Sequence, residues 1–175
     1  MTVDLDLVAR SPLADWQLHA DGVAARERPL LGQLSVRTPR DLRRLVLGAE
    51  GSHASQRRQV EQVLRLGPDE WLVLTPTADL GSRTTTLREF GVVTDVSGQR
   101  TAVELTGPRA RDVLARGCAI DLDPSVAPVG TCVSTLLAQT GVIVLVEPEA
   151  ILLLVRSSFA SYLARWLEDA STDLD

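Results

Sequence analysis

The chain has 175 residues, 45% hydrophobic, 23% charged and 3% aromatic, and its 18 basic and 23 acidic side chains leave a formal net charge of -5. That is a soluble globular composition for one domain or two small ones, burying roughly two-thirds of the unfolded surface. All the basic residues are arginine, which excludes a Schiff-base lysine and a phosphate-loop lysine. The only histidines are His19 and His53, and the only cysteines Cys118 and Cys132, so the usual bases and metal ligands are scarce.

Residues 1–29 carry little periodic pattern and read as an N-terminal arm. Trp16 and its apolar neighbours suit packing on this chain or another better than a solvated tail. The acidic start, Met1-Thr2-Val3-Asp4-Leu5-Asp6, lacks the basic region and apolar stretch of a signal peptide, so a cytoplasmic protein is expected.

A first α+β unit is expected over 30–97. Leu31 to Arg37 alternates as a strand, and Thr38-Pro39 opens a helix through Leu42, Leu45 and Val46 that stops at Gly48. A polar loop with His53 leads to strand Val60 to Leu66. Gly67-Pro68-Asp69-Glu70 turns it into strand Trp71 to Thr75, a helix spans Leu80 to Phe90, and Val92 to Val96 is a strand. The order βαββαβ is that of a ferredoxin-like unit.

A second unit is expected over 98–175, in the order βαβββα. Strand Thr101 to Leu105 precedes a helix through Ala110, Val113 and Leu114 that stops at Gly117. Strand Thr131 to Ala138 turns at Gln139-Thr140-Gly141 into Val142 to Val146, and strand Ile151 to Val155 follows. Ser157 or Ser158 then caps a helix with Phe159, Tyr162, Leu163, Trp166, Leu167 and Ala170 on one face. Pro39-Arg40 and Pro108-Arg109, Leu45 and Leu114, Gly48 and Gly117, and Pro76 and Pro148 fall at matching places, the grammar of an internal duplication.

Candidate chemistry is sparse. Cys118 and Cys132, fourteen positions apart, fit no zinc or redox spacing. Asp121 and Asp123 flank Leu122 before Pro124 as a solvated turn, no nucleotide-binding glycine loop occurs, and no residue is assigned as catalytic or as a metal ligand. Seven arginines stand against three acids between Arg37 and Arg65, but an isoelectric point near 5.1 and the lack of interleaved aromatics point away from nucleic acid. No apolar run approaches a membrane span. The segment Asp95-Val96-Ser97-Gly98-Gln99-Arg100, between the two units, is either a self-satisfied turn or a ligand contact through Asp95, Ser97 and Arg100.

Several stretches carry a family resemblance. Val93-Thr94-Asp95-Val96-Ser97, the run Thr101-Ala102-Val103-Glu104-Leu105-Thr106-Gly107-Pro108-Arg109-Ala110, the hairpin Leu66-Gly67-Pro68-Asp69-Glu70-Trp71 and the late Val155-Arg156-Ser157-Ser158-Phe159 resemble the gamma subunits of heterotetrameric sarcosine oxidase. The resemblance implies an aminomethyltransferase-like, folate-binding-protein-like fold. It also implies partnership with alpha, beta and delta subunits, which would carry FAD, FMN, NAD, tetrahydrofolate and zinc, none of them bound by this chain. The implied complex oxidatively demethylates sarcosine to glycine, with formation of hydrogen peroxide and 5,10-methylenetetrahydrofolate. In the related aminomethyltransferases the strand after the glycine turn carries an Asp that works on folate. The matching Gly141-Val142-Ile143-Val144-Leu145-Val146 is wholly apolar, which implies a structural, non-catalytic subunit. The alternative is a stand-alone folate-binding protein of one-carbon metabolism.

Overall fold

A computed structural model describes residues 10–29, 31–47 and 62–172. Among these residues, ten strands form two antiparallel sheets. The six-stranded sheet has the order β1 (Gln17–Ala20), β2 (Val23–Glu27), β7 (Arg100–Thr106), β10 (Ile151–Arg156), β9 (Thr140–Val146), β8 (Cys132–Leu137). The four-stranded sheet has the order β4 (Gln62–Arg65), β5 (Glu70–Pro76), β3 (Leu31–Arg37), β6 (Val92–Asp95). Helices α1 (Leu42–Leu47) and α2 (Leu80–Leu87) belong to the smaller sheet, α3 (Ala110–Ala115) and α4 (Ala160–Thr172) to the larger.

Three apolar cores define four layers. Val103, Leu105, Val144 and Leu153 face α3 and α4 through Leu114, Leu163 and Leu167. The opposite side chains, Ala102, Ile143, Leu145, Leu152 and Leu154, meet Leu64, Leu72 and Leu74 of the smaller sheet. That sheet turns Leu34, Val36, Trp71 and Val73 toward Leu42 and Leu87. β9 and β10 are therefore covered on both faces, which is why they read as unbroken apolar runs instead of alternating ones.

The smaller sheet, with its chain order β3-α1-β4-β5-α2-β6, is a ferredoxin-like unit as the sequence predicts. The larger sheet repeats it with one exchange. β6 pairs with β3 (Leu34 opposite Asp95, Arg37 opposite Val92), and β2 pairs with β7 in the same way (Val103 opposite Glu27, Thr106 opposite Ala24). Matching hydrogen bonds end both pairings: Val96 N–H donates to Gln33 O at 2.8 Å and Arg28 N–H to Ala102 O at 2.9 Å. Each repeat thus opens with a strand that completes the other repeat's sheet, and β1 and β8 are additions at the edges of the larger one.

Several expectations need correction. Residues 17–27, read as part of a patternless arm, form the β1–β2 hairpin. Its pattern is obscured because the apolar positions of β2 (Val-Ala-Ala-Arg-Glu) are filled only by Val and Ala. The duplicated hairpin is β9–β10 and not β8–β9. Pro148 lies in the turn where Glu147 N–H donates to Ala150 O, as Pro68 lies in the turn where Leu66 N–H donates to Glu70 O, so its counterpart is Pro68 and not Pro76. The β8–β9 turn is Ala138-Gln139, both at positive φ (50° and 64°), which leaves Thr140 and Gly141 inside β9. Asp41, whose Oδ1 accepts from Arg44 N–H at 3.3 Å, caps α1 in place of Thr38. Leu45 is exposed while its counterpart Leu114 is buried. The Gly48 helix stop and the loop holding His53 lie outside the described residues.

Gly107 shows what the repeat's strand-to-helix corner demands. It sits at φ 104°, and a Cβ there would press into the carbonyl of Gly22, at the start of the exchanged strand. Only glycine combines that conformation with that approach.

Candidate functional site

The links that cross between the repeats, around Arg28-Pro29 and Val96-Gln99, bring polar groups together where the sheets meet. Ser97 is fixed three ways. Its N–H and Oγ donate to Asp95 Oδ1 at 2.9 and 2.6 Å, and its Oγ accepts from Gln33 N–H at 3.0 Å. These bonds from Ser97 hold the Asp95 carboxyl below the usual aspartate range. Gln33, almost wholly buried, donates its side-chain amide to Arg100 O at 2.7 Å. Ser157, predicted as a helix cap, instead donates its Oγ to Gly98 O at 3.0 Å and its N–H to Gln99 O at 3.0 Å, tying this turn to the end of β10.

Of the three residues singled out from sequence, Ser97 and Arg100 line one cavity of about 640 Å³, along with Arg10, Arg28, Gln33 and Ser157; Asp95 lies beside it, committed to its turn. Burial and the facing Arg156 keep the Arg100 guanidinium pKa below the usual arginine range, and Glu70 partly opposes them. Gln33 went unnoticed in the sequence because a lone glutamine in an alternating strand carries no signal; only the crossing of the two links gives it neighbours.

A second polar group spans the two sheets. Arg28 donates to Glu104 Oε2 through Nε at 2.9 Å and to Glu147 Oε1 through Nη1 at 2.9 Å, Arg26 Nη2 reaches Glu104 Oε1 at 3.0 Å, and Gln62 of the smaller sheet donates to Glu147 Oε1 at 2.6 Å. Burial tends to raise the Glu104 pKa, but the arginine hydrogen bonds outweigh it and the net shift is downward. Arg28 is raised above its ordinary value, chiefly by its bond to Glu147. The network holds the exchanged strand β2 against β7 and the β9–β10 turn.

The other sequence candidates do not converge here. His19 lies exposed on β1, its Nε2 3.4 Å from Gln17 Oε1. Asp121 and Asp123 accept from the backbone N–H groups of Asp123 and Ser125, both at 2.8 Å. Cys118 and Cys132 are both free, and burial pushes the Cys132 thiol up to about 11. Among the described residues no three His, Cys, Asp or Glu side chains gather as a metal site, and no helix is long and apolar enough to cross a membrane. Among the described residues of the arginine-rich stretch, Arg37 pairs with Asp69 and Glu70, Arg43 donates to Val63 O, and Arg65 stacks 5.5 Å over Trp71.

The apolar run Val142 to Val146 lies in β9, in the interior of the molecule. Val142, Val144 and Val146 enter the helix-side core, while Ile143 and Leu145 enter the core between the sheets. No polar side chain lies among them, so this strand does not fit a pterin, whose ring nitrogens and amino group require hydrogen-bond partners.

Comparison with known proteins agrees with this architecture. The model of the "Sarcosine oxidase, gamma subunit family" matches residues 48–173. The sarcosine oxidase gamma subunits of Corynebacterium sp. strain P-1 and of an Arthrobacter species are each 36% identical over 115 residues, 63% of this chain and 57% of theirs. The match thus spans little more than half the length of these relatives. A chain of the heterotetrameric sarcosine oxidase from Corynebacterium sp. U-96, solved with pyrrole 2-carboxylate, superposes with a TM-score of 0.74 at 28% identity, covering 94% of this chain and 95% of that one. The aminomethyltransferase T of the Bartonella henselae glycine cleavage system superposes at 0.57 with 12% identity over 83% of this chain and 45% of its own, a likeness of fold. With the family model matching well over half of its residues, the chain belongs to the sarcosine oxidase gamma subunit family.

Proposed function

We propose that this chain is the gamma subunit of a cytoplasmic heterotetrameric sarcosine oxidase and serves the complex structurally. The observation that carries the reading is the superposition along nearly the whole of a chain from such an oxidase. The complex would oxidise sarcosine to glycine with release of hydrogen peroxide and formation of 5,10-methylenetetrahydrofolate. Its FAD, FMN, NAD, tetrahydrofolate and zinc would sit on the alpha, beta and delta subunits. The buried, apolar β9 supports a subunit without folate chemistry of its own, because a side chain packed in a core cannot reach a substrate.

A structural role follows from the layering. Two sheets clamped face to face and closed by helices resist deformation, so partner surfaces are presented in fixed geometry. Co-expression of all four subunits should yield one active complex containing this chain; a stable, fully active oxidase assembled without it would refute the role. The Asp95, Ser97 and Arg100 cluster favours a second reading, folate binding by the isolated chain. Calorimetry with tetrahydrofolate separates the two, since the structural reading expects neither heat nor a thermal shift.

A further inference from the structure

The repeat supplies an internal standard for each sheet edge. In the larger sheet the exchanged strand β2 is covered on its outer side by β1, with Leu18 opposite Ala25 and Ala20 opposite Val23. In the smaller sheet the exchanged strand β6 has β3 on one side, and among the described residues no strand pairs with the other. Because Val96 N–H donates to Gln33 O across the β3–β6 pair, the alternation of an antiparallel ladder turns the backbone of Thr94 and Val92 toward β3 and that of Val93 and Asp95 outward. An open row of donors and acceptors is a template for another strand. Two apolar side chains accompany it: Val92 is 70% exposed, and Val93 packs only partly, beside Phe90, against the helix-side core.

We propose that this outer edge of β6 receives one extended segment of a partner subunit, which adds to the smaller sheet as a fifth antiparallel strand and sets an apolar side chain opposite Val93. The sister sheet gives the register of the added strand. Val93 lies opposite Val36 of β3 as Ala25 lies opposite Leu105 of β7, so the incoming residue stands where Leu18 stands on β2. Main-chain bonds supply the affinity and the apolar side chain the register. The inference rests on the reading of this chain as a subunit and names one of its contacts.

The test uses the full chain, alone and co-expressed with the other three oxidase subunits, in two arms. In the first, hydrogen exchange is followed at the Val93 and Asp95 amides, which are expected to slow about tenfold or more in the complex while exchanging fast in the isolated chain. In the second, Val93→Pro removes an N–H that the ladder turns away from β3, so its melt should stay close to wild type while recovery in the complex falls about tenfold or more. Val92→Pro, which removes an inward N–H, should instead lower the melting temperature of the isolated chain. Equal exchange rates in the free and assembled chain overturn the proposal, as do amides already protected in the free chain, a free-chain dimer abolished by Val93→Pro, or normal assembly of a folded Val93→Pro variant. Failure of the wild-type chain to enter any complex would instead refute its reading as a subunit.

Discussion

Arg28 is the residue on which the strand exchange turns. Its guanidinium bridges Glu104 of β7 and Glu147 beyond β9, both carboxylates being largely shielded from solvent. Removing one partner of such a group leaves charge desolvated and unpaired. Arg28→Ala is therefore expected to cost about 2–3 kcal/mol in chemical denaturation, less than a fully buried pair because the guanidinium keeps some solvent. The same network sets a pH dependence. The folded pKa of Glu104 lies below its ordinary 4.5, so its contribution is complete above that value and is lost as pH falls through the lowered folded value. Between pH 5 and 3 the wild-type melting temperature should fall more steeply than that of Glu104→Gln, and parallel curves would contradict the assignment.

Among the elements, α4 shows how far periodicity reaches. The spacing of Phe159, Tyr162, Leu163, Trp166, Leu167 and Ala170 predicts an amphipathic helix, and the helix is present. Its buried face, however, centres on Ala160, Leu163, Ala164 and Leu167, while Phe159 and Tyr162 remain 46% and 45% exposed. Small alanines let the helix lie close to the sheet, and the aromatics fall to its flank, where Tyr162 Oη donates to Ala138 O. Trp166 covers Gly117 at the end of α3, an approach that leaves no room for a Cβ. Leu167→Ala should cost about 2–5 kcal/mol, and Trp166→Ala less than the about 3–5 kcal/mol of a fully buried tryptophan; melting curves in the reverse order would oppose this packing. The β8–β9 turn holds two residues without glycine in left-handed conformation. Replacing Ala138-Gln139 with Asn-Gly, the pair such a two-residue turn favours, should stabilise the protein by about 1 kcal/mol, read as a raised melting temperature.

For the whole molecule, the exchange of β2 and β6 couples the two repeats, because neither sheet is complete with residues of its own repeat alone. A fragment 98–175 carries β7–β10 with α3 and α4 but loses β2, β1 and Arg28, and exposes the core shared by the sheets. It should show no cooperative melt by circular dichroism, and fragment 1–97 co-expressed with it should restore one. A single transition, coincident by fluorescence and far-UV dichroism, is expected for the intact chain. The helix-facing core of the larger sheet and the core between the sheets meet through β9 and β10, so loosening either strand loosens two layers at once.

The amino-acid sequence alone determined the order of most elements, because strand alternation, proline and glycine breaks and the α4 stripe are local signals. It also determined the ferredoxin-like grammar of the first unit, the poverty of acid–base groups and the family resemblance. Three decisions belonged to the tertiary structure. Pairing of β2 with β7 joins residues about eighty positions apart and leaves no periodic trace in a five-residue strand whose apolar side chains are only Val and Ala. Burial of Val142 to Val146 on both faces depends on a second sheet arriving from the other repeat. Convergence of Ser97, Arg100 and Gln33, with Asp95 held in its own turn, depends on where two links cross. Short-range signals record what a segment does by itself; which strand lies beside it is decided by hydrogen bonds and apolar faces that distant segments satisfy only once folded.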